Sequence, residues 1–332
     1  MATLLVTGGA GYVGSHVARF LTEAGHDVVV YDSLVSGHRE AVRWGQFVPG
    51  DLQDREKLGA VFGAQPFDGV LHFAALIQVE ESVREPDLYW RNNVEGSCCL
   101  LDAMEDAGVE PIVFSSSACV YGEPEDTPIA ENHPLRPDNP YGDTKLAMER
   151  EIASRRAIRG VCLRYFNAAG AHPDGTMGED HDPESHLLPN LLKAGPDRPL
   201  NIFGSDYPTP DGTAVRDYVH VCDLAAAHGL AMDHLLSGGE GLVANLGTGA
   251  GYSVLDVVAA VEDATGWRPP TRMAPRRAGD VAALVASRER AGRILGWAPR
   301  LGLGEIVAHA HRWHRGHPHG YAGRPPRREE GQ

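Results

Sequence analysis

The feature that most restricts the fold is a glycine-rich turn between two short apolar runs near the start of the chain. The apolar run Leu4–Thr7 leads into the turn Gly8–Gly14, and Tyr12–Ala24 then follows a helical period. A second apolar run, Val28–Tyr31, ends at Asp32. Strand, glycine turn, helix and strand within about 30 residues predict a βαβ unit, the building block of a parallel sheet.

The same turn predicts a site for a dinucleotide. Gly8–Gly14 reads GGAGYVG, in which the glycines satisfy both the G-x-x-G-x-x-G and the G-x-G-x-x-G spacing. Glycines there let backbone N–H groups approach a pyrophosphate, and the following helix directs its positive end at the phosphates. Asp32 stands where a carboxylate bonds a ribose 2′-hydroxyl and repels a 2′-phosphate, so the sequence favours NAD over NADP. Asp51, next to Leu52, either meets the adenine amino group or is an ordinary loop aspartate.

The alternation of strand and helix patterns continues beyond this unit. Apolar runs at Gly69–Phe73, Pro111–Ser115 and Gly160–Tyr165 alternate with helical patterns at Tyr89–Ala107 and Tyr141–Arg155. Repeated βα alternation is typical of a doubly wound sheet. We therefore predict an α/β fold: a Rossmann-type doubly wound parallel sheet with a smaller C-terminal α/β lobe that binds substrate.

The composition of the sequence changes after residue 167, and this change predicts two domains. Residues 1–167, joined by parts of 217–264, are predicted to form the NAD-binding Rossmann domain. Residues 168–216 are rich in Gly, Pro and Asp, and together with 265–320 they are predicted to form the substrate lobe. The polar residues 321–332 are predicted to be a frayed tail.

Composition narrows the class of partner and the compartment. A net charge of −15 argues against nucleic acid and anionic membrane surfaces as main partners. The five cysteines are odd in number and lack a C-x-x-C spacing, which is typical of free thiols in a reducing cytosol. The first residues contain neither a basic segment nor a long apolar segment, so we expect a cytoplasmic protein that does not span a membrane.

Tyr141 and Lys145 are the candidate catalytic pair. Residues four apart lie on one face of a helix, and Pro140 just before Tyr141 suits a helix start. A free phenol has a pKa of about 10, and a nearby ammonium group lowers it, so the pair can remove a proton from an alcohol. Ser117 ends a run of serines after a predicted strand, where ligands bind in open α/β sheets; alternatively, the serines are simple turn residues.

Taken together, these segments resemble the extended short-chain dehydrogenase/reductase superfamily and, within it, the UDP-glucose 4-epimerase family. The resemblance runs nearly end to end, through TGGAGYVGSH (7–16), HFAAL (72–76), SSSACVYGEP (115–124), NPYGDTK (139–145), DGTAVRDYVHV (211–221) and RRAGD (276–280). The glycine turn and the Tyr-x-x-x-Lys pair are shared by the whole superfamily, whereas DGTAVRDYVHV is close to diagnostic of the narrower family. The resemblance implies bound NAD, a UDP-hexose substrate and inversion at C4 through a transient 4-keto sugar.

The resemblance also implies roles for individual residues. Tyr141 would be the catalytic base, Lys145 would adjust its pKa and hold the nicotinamide ribose, and Ser117 would bond the sugar O4. Besides these three, the residues implied to bind NAD are Gly8, Gly11, Tyr12, Val13, Gly14, Asp32, Ser33, Ser36, Gly37, Asp51, Leu52, Phe73, Ala74, Ala75, Asn92, Asn93 and Phe166. Besides Ser117 and Tyr141, those implied to bind substrate are Asn167, His186, Leu187, Asn201, Ile202, Phe203, Arg216, Arg277 and Asp280. The arginines also make sense by their own chemistry, since guanidinium groups bind diphosphate oxygens.

The chain departs from the family pattern at a few positions. Ile77 stands where a lysine is common, and His186 stands where an asparagine is common. Leu284 falls where the family controls pocket size for N-acetyl sugars, and leucine leaves room for UDP-N-acetylhexosamines as further substrates. The resemblance also implies a homodimer that pairs the helices predicted at Tyr89–Ala107 and Tyr141–Arg155 into a four-helix bundle.

Other interpretations stay open at the level of sequence. A sugar-nucleotide 4,6-dehydratase would need Asp-Glu after the strand-end hydroxyl, but Ala118-Cys119 follow Ser117. A UDP-glucuronate 4-epimerase or decarboxylase would need a cationic partner for the C5 carboxylate, which the sequence does not indicate. A non-catalytic NAD-sensing protein would not need Ser117, Tyr141 and Lys145 together.

Histidines are frequent near the C-terminal end of the chain, at His309, His311, His314, His317 and His319. Their spacing moves around a helix and enters a Pro/Gly segment, unlike the regular ligand spacing of metal sites. We therefore predict a solvated histidine face and no metal.

Overall fold

The computed structural model describes residues 1–277 and 280–321. In chain order the strands are β1 (Thr3–Thr7), β2 (Asp27–Asp32), β3 (Gln46–Pro49), β4 (Gly69–His72), β5 (Pro111–Ser117), β6 (Arg159–Tyr165), β7 (Asn167–Ala169), β8 (Leu200–Phe203), β9 (Val215–Arg216), β10 (Tyr218–His220), β11 (Leu242–Leu246), β12 (Tyr252–Ser253), β13 (Thr271–Ala274) and β14 (Ala283–Leu284). The α-helices are α1 (Tyr12–Glu23), α2 (Arg55–Ala64), α3 (Val79–Arg84), α4 (Pro86–Trp90), α5 (Gly96–Ala107), α6 (Pro140–Ser154), α7 (Leu187–Leu192), α8 (Val221–Leu236), α9 (Val254–Thr265), α10 (Glu289–Leu295) and α11 (Leu303–Gly316).

The main body is a seven-stranded sheet in the order β11-β6-β5-β4-β1-β2-β3. Each pair of neighbours in this sheet is parallel. The order reverses direction between β1 and β4, which creates the crevice at which open α/β sheets bind ligands. The predicted Rossmann-type doubly wound sheet is therefore confirmed.

Two apolar layers hold helices against this sheet. Side chains alternate along a strand, so Leu4 and Val6 of β1 pack on one face with α1 and α8, while Leu5 packs on the other face with α2, α5 and α6. Because both faces are covered, β1 is apolar without alternation, as is typical of a central parallel strand. Each fully buried leucine contributes about 1.5–3 kcal/mol of transfer free energy.

The observed elements extend the predicted ones in places. The helix predicted at Tyr89–Ala107 begins earlier, at Pro86, and contains a π-helical turn at Arg91–Glu95. β5 continues through Ser117 instead of ending at Ser115, because Ser115, Ser116 and Ser117 stay paired in register with β6. These serines are thus strand residues, and the alternative that they form a simple turn is wrong. The sequence analysis did not predict β3 and α2.

A second, smaller lobe lies beyond the sheet and is built from short elements. β8 pairs with β13, and β9 lies between β12 and β14. α7, α9 and α11 enclose its apolar cluster, which includes Leu191, Val258 and Ile306. The predicted smaller α/β lobe is therefore present.

The C-terminal residues differ from two expectations. Tyr321 is buried against Trp313, with 4.8 Å between the ring centroids, so Tyr321 belongs to the packed body. The rest of the predicted tail, residues 322–332, lies outside the described residues. The solvated histidine face is also wrong: the His309 ring contacts His220, and the His317 ring stacks on Trp313 at 3.8 Å. Among the described residues, no helix has both the length and the apolar character needed to cross a membrane.

Candidate active site

Tyr141 and Lys145 lie in the first turns of α6, as the sequence predicted. The side chain of Asn139 accepts a hydrogen bond from the N–H of Gly142 at 2.9 Å, and Pro140 occupies the first turn, so the helix start is fixed locally. Lys145 is buried, and its Nζ atom donates to the carbonyl oxygen of Ser115 at 2.8 Å. Its ammonium group lies 5.8 Å from the centroid of the Tyr141 ring.

Ser117 stands at the end of β5 beside the catalytic pair. Its hydroxyl accepts a hydrogen bond from the N–H of Cys119 at 3.2 Å, and it lies close enough to the Tyr141 phenol to oppose the rise in the pKa of Tyr141. Strand β5 and helix α6 thus bring Ser117, Tyr141 and Lys145 to one point at the carboxyl edge of the sheet. This is the arrangement that the sequence predicted for removing a proton from an alcohol.

The expected lowering of the Tyr141 pKa is not found in the protein alone. Burial raises the pKa of Tyr141 well above its usual value, and the nearby Cys119 and Tyr165 side chains add to the rise. Burial also lowers the pKa of Lys145 to about 8, against the attraction of Cys119 and Glu149. Desolvation therefore disfavours charge on both members of the pair, and a further positive charge is needed to stabilise the phenolate.

A buried ion pair supports helix α6 and was not predicted from the sequence. Glu149, one turn after Lys145 on α6, binds Arg164 of β6 with Oε1–Nε and Oε2–Nη2 distances of 2.8 and 2.5 Å. The hydroxyl of Ser116 donates to the same carboxylate, and Arg164 also donates to the Tyr121 hydroxyl. The sequence contained one signal for this pair, because position 149 lies on the same helical face as position 145. Nothing in the sequence indicated Arg164 as the partner of Glu149, because Arg164 lies on a separate strand.

The glycine turn closes around a narrow crevice above β1 and β4. Gly8 has φ +72°, and a Cβ atom there would come within 2.3 Å of the Ala74 backbone nitrogen. A Cβ at Gly14 would come within 2.3 Å of the Gly8 carbonyl oxygen. Both positions therefore require glycine, as the predicted dinucleotide turn needs.

Most of the residues implied to bind NAD line this crevice. Asp32 lies on its wall, where its carboxylate accepts hydrogen bonds from the N–H groups of Ala10 at 2.9 Å and Leu34 at 2.8 Å. Each oxygen retains a second lone pair for a ribose hydroxyl. The predicted residues on the lining are Gly8, Gly11, Asp32, Ser33, Ser36, Gly37, Asp51, Leu52, Phe73, Ala74, Ala75 and Asn92.

The other residues implied to bind NAD lie around this lining. Asn93 is buried, and its amide bonds both backbone groups of Leu76, so Asn93 positions the loop after β4 while Asn92 faces the crevice. The Tyr12 hydroxyl donates to the Gly170 carbonyl oxygen at 2.6 Å, which ties the start of α1 to the second lobe. Val13 and Gly14 follow in the first turn of α1, and Phe166 follows β6.

Arg216, Arg277 and Asp280 form a charged group in the second lobe. Asp280 binds Arg277 with an Oδ2–Nε distance of 2.9 Å and lies 3.9 Å from Arg216. Two backbone carbonyl oxygens hold Arg216, whose side chain is 15% exposed, whereas the Arg277 side chain is 49% exposed and lies over the Phe203 ring. One carboxylate between two guanidinium groups leaves a net positive pocket, which suits a diphosphate.

Other residues implied to bind substrate occupy the same lobe. Asn201, Ile202 and Phe203 form the end of β8, and Asn167 begins β7, where its N–H donates to the Asp217 carbonyl oxygen. Buried Asp217 accepts hydrogen bonds from Thr248, Gly249 and Ala286, so it fixes the strands around Arg216; the sequence analysis missed this role.

His186 caps α7, which begins at Leu187, but its ring faces protein carboxylates. The Nδ1 atom of His186 lies 2.7 Å from Oε1 of Glu179. Burial opposes its protonation, yet Glu179 and Glu184 outweigh this effect and raise the pKa of His186 to about 10. Ile77, the other departure from the family pattern, is 40% exposed.

Cys119 and Leu284 connect the catalytic pair with the arginines. Burial raises the pKa of the Cys119 thiol, while its hydrogen bond with Ser117 and the charges of Arg216 and Lys145 oppose this rise. Leu284 pairs in register with Arg216 and packs on the apolar cluster that contains Ala118. Cys119 therefore lies within electrostatic reach of both Lys145 and Arg216, and we call the region between these groups the cleft.

A cleft of this kind is typical of an enzyme in which a dinucleotide cofactor and a Tyr–Lys pair act together on a substrate that carries an anionic group. Residues 4–247 match the NAD dependent epimerase/dehydratase family. The chain is 49% identical over 325 residues to the UDP-glucose 4-epimerase of Halalkalibacterium halodurans, covering 96% of this chain and 97% of that protein. The chain therefore belongs to this NAD-dependent family and, within it, to the UDP-glucose 4-epimerases.

Solved structures agree with this assignment. The chain matches a UDP-glucose-4-epimerase from Stenotrophomonas maltophila, crystallised with NAD and formylated UDP-arabinopyranose, with a TM-score of 0.93 and 41% identity over 96% of this chain and 99% of that chain. A UDP-Glc/GlcNAc 4-epimerase from Campylobacter jejuni matches with a TM-score of 0.83 and 36% identity over 95% and 100% of the two chains. The prediction of NAD as the cofactor is confirmed by these relatives and by the family.

Proposed function

We propose that this protein interconverts UDP-glucose and UDP-galactose by inverting the sugar at C4. The observation that carries the proposal is the convergence of Ser117, Tyr141 and Lys145 beside a crevice suited to NAD. The relatives described above act on or bind UDP-sugars, and the pocket around Arg216 and Arg277 supplies the cations for a diphosphate. When bound, NAD supplies a hydride acceptor, a hydride donor and a positive charge.

The side chains of the chain itself move the proton. Tyr141 takes the proton of the C4 hydroxyl, either directly or through Ser117, while the sugar is oxidised to a 4-keto form. The cation of Lys145 and the positive charge of the oxidised cofactor oppose the effect of burial on the Tyr141 pKa. After reduction from the opposite face, Tyr141 returns the proton to the same oxygen, so no net redox change occurs.

Inversion requires the keto sugar to turn over while the nucleotide stays bound. Arg216 and Arg277 grip the diphosphate, and β8 with Leu187 holds the rest of the UDP. The sugar then rotates about its bond to the diphosphate and presents its other face. Binding energy from the non-reacting UDP part thereby retains the intermediate and positions it.

Leu284, in the wall of the pocket, also affects which sugars the pocket can accept. Leu284 lies beside Arg216 and close to the strand end that carries Ser117. A leucine there leaves room for an acetamido group at C2, so we expect UDP-N-acetylhexosamines to be substrates as well. The Campylobacter jejuni relative is named for both sugar classes.

We also expect a cytoplasmic homodimer. α4 and α6 form a groove lined by Pro86, Trp90, Leu146 and Ala147. Trp90 is 46% exposed and Leu88 is 40% exposed, which is unusual for large apolar residues on one helix. A second copy of the same face would cover this groove in a four-helix bundle. Light scattering should give a dimer for the wild type and a monomer for Trp90→Glu.

One experiment tests the activity. The purified protein is incubated with UDP-galactose, UDP-N-acetylgalactosamine or UDP-glucuronate, first without added NAD and then with it, and the products are identified. We expect UDP-glucose from the first, UDP-N-acetylglucosamine from the second and no change of the third. No turnover of any UDP-sugar by protein that contains NAD would leave the non-catalytic interpretation standing.

A further inference from the structure

Four side chains of the loop before α7 converge on one point. They are Glu179, His181, Glu184 and His186, and one nitrogen or oxygen atom of each lies within 4.8 Å of those of the others. Glu179 is 3% exposed, and the side chain of Glu184 is 7% exposed. The two carboxylates are therefore buried, while the His186 ring at the edge of the cluster is 41% exposed.

The atoms that face the centre of the cluster lie close together, but they are not aligned as hydrogen bonds. Four of these atoms are buried and make no hydrogen bond: Glu179 Oε1, His181 Nδ1, Glu184 Oε2 and His186 Nδ1. A buried polar atom left unsatisfied costs about 1–3 kcal/mol, and more if it is charged. Four such atoms directed at one another are expensive in a folded protein, unless something between them binds all four.

We propose that Glu179, His181, Glu184 and His186 bind a divalent transition-metal ion, with Zn²⁺ as the ion that fits best. Two imidazole nitrogens and two carboxylate oxygens are ligands of Zn²⁺, whereas Mg²⁺ and Ca²⁺ prefer oxygen alone. The two carboxylates balance the charge of the ion, so the filled site is neutral.

The separations between the two histidine nitrogens and the nearest carboxylate oxygens are close to those around a tetrahedral ion. The Nδ1 atom of His186 lies 2.7 Å from Oε1 of Glu179 and 3.4 Å from Oε1 of Glu184. The Nδ1 atom of His181 lies 3.2 and 3.8 Å from the same two oxygens. Ligands at about 2.0–2.1 Å from a tetrahedral Zn²⁺ lie about 3.3 Å apart, in the middle of these values.

The surroundings of the cluster indicate a structural role. Four protein ligands complete the tetrahedral set and leave no position for a substrate. The indole of Trp313 donates to the Glu179 carbonyl oxygen, and the Asn190 amide donates to the carbonyl oxygens of Glu184 and His186. The ring of His181 also lies against Tyr12, at 6.2 Å between centroids.

All four ligands come from one loop, so a metal at this point would fix that loop, whose His181 ring lies against Tyr12 of the first lobe. Tyr12 begins the helix of the glycine turn, and His186 caps the helix that begins at Leu187. Because the ligand atom of His186 is Nδ1, the Nε2 edge of its half-exposed ring stays available to substrate. The metal site does not depend on the proposed epimerase activity.

Metal content is the first measurement. The protein is produced without a polyhistidine tag, dialysed, and analysed by mass spectrometry for Zn, Fe, Mn, Co and Ni. We expect about one Zn²⁺ per chain in the wild type, and at least a tenfold loss in Glu179→Gln and in His181→Ala. His234→Asn, a histidine outside the cluster, should keep the metal. Wild-type protein without a bound metal would overturn the proposal.

Two further readouts apply even if a ligand variant fails to fold. Removal of the metal from the wild type by a chelator should lower its Tm by about 5 °C or more, and added Zn²⁺ should restore it. Replacement by Co²⁺ should give the intense visible bands of a tetrahedral site. A Tm that responds to neither treatment, or an octahedral Co²⁺ spectrum, would contradict a four-ligand site. These readouts do not use turnover, so they fail independently of the proposed activity.

Discussion

The two sides of the cleft differ in how deeply they bury their charges. On the catalytic side Lys145 is 2%, Glu149 6% and Arg164 3% exposed, and all three lie where α6 packs against the seven-stranded sheet. On the nucleotide side Arg277 is half-exposed, in a lobe of short strands and loops. Proton transfer benefits from a fixed geometry in a medium of low dielectric, whereas a substrate handle must bind and leave in every cycle. Burial thus distinguishes Lys145 and the ion pair beside it from Arg277, whereas Arg216 on the nucleotide side is only 15% exposed.

The replacement Tyr141→Phe gives the largest expected effect and tests the catalytic side. Loss of the phenol removes the acid–base group, so turnover of UDP-galactose should fall by at least about 10²–10⁴-fold. NAD content and Tm should change little, because the ring remains. The matched variant Tyr218→Phe, in a buried tyrosine of the second lobe, should keep activity. Near-normal turnover in Tyr141→Phe would disprove the assignment of the base.

The Glu149–Arg164 pair tests whether burial makes the catalytic side structurally sensitive. Glu149→Gln leaves the Arg164 charge buried without its partner, so the free energy of unfolding should fall by about 3–5 kcal/mol. Glu105→Gln breaks a more exposed pair with Arg155 and should cost less than about 1 kcal/mol. Urea denaturation measures both values. Equal losses in the two variants would refute the contrast in burial.

The arginines test the nucleotide side. Arg216→Ala should raise the KM for UDP-galactose by about 10–100-fold, because a charged hydrogen bond to the diphosphate contributes about 1.5–3 kcal/mol. Arg277→Ala should have a smaller effect, since its side chain is more exposed. Arg272→Ala, an exposed arginine on β13, serves as the control. A change confined to kcat, with KM unaltered, would argue against a role in holding UDP.

The contrast also explains what could be predicted from the sequence. The glycine turn, the start of α6 and the strand-end serines depend on residues that are neighbours in the chain, and these local patterns predicted both the crevice and the Tyr141–Lys145 pair. The partnership of Glu149 with Arg164 depends on how α6 packs against β6, which no local pattern specifies. The Glu179–His186 cluster was missed for a related reason. Its four residues lie in a loop, where no helical or strand period shows which side chains meet. The prediction about metal considered only the more numerous histidines at the C-terminal end.

The raised pKa of Tyr141 shows a further limit of local reasoning. Spacing alone predicts that Lys145 lowers the phenol pKa, because the two residues share a helical face. Burial, which depends on the whole fold, reverses the net direction in the protein alone. The pair is therefore incomplete until the cofactor adds its charge.

Lys145 itself gives the smallest predicted effect, on stability. Burial lowers its pKa from 10.5 to about 8, so the folded protein without NAD binds fewer protons here than the unfolded chain between these values. The cost of burying the charge is complete below pH 8 and disappears as the pH rises towards 10.5. Lys145→Met should therefore lose activity yet gain about 1–2 kcal/mol of unfolding free energy at pH 7. That is less than the full cost of about 3 kcal/mol, because the Ser115 carbonyl loses its donor.

The pH dependence separates this effect from ordinary repacking. Urea denaturation of NAD-free protein at pH 7 and pH 9.5 should show the gain of Lys145→Met shrinking at the higher pH, as the wild-type lysine loses its proton. Lys57→Met, a lysine on α2 with no such burial, should show no pH-dependent gain. A gain that is equal at both pH values would mean that methionine packs better, and the catalytic side would then not carry an electrostatic cost for its function.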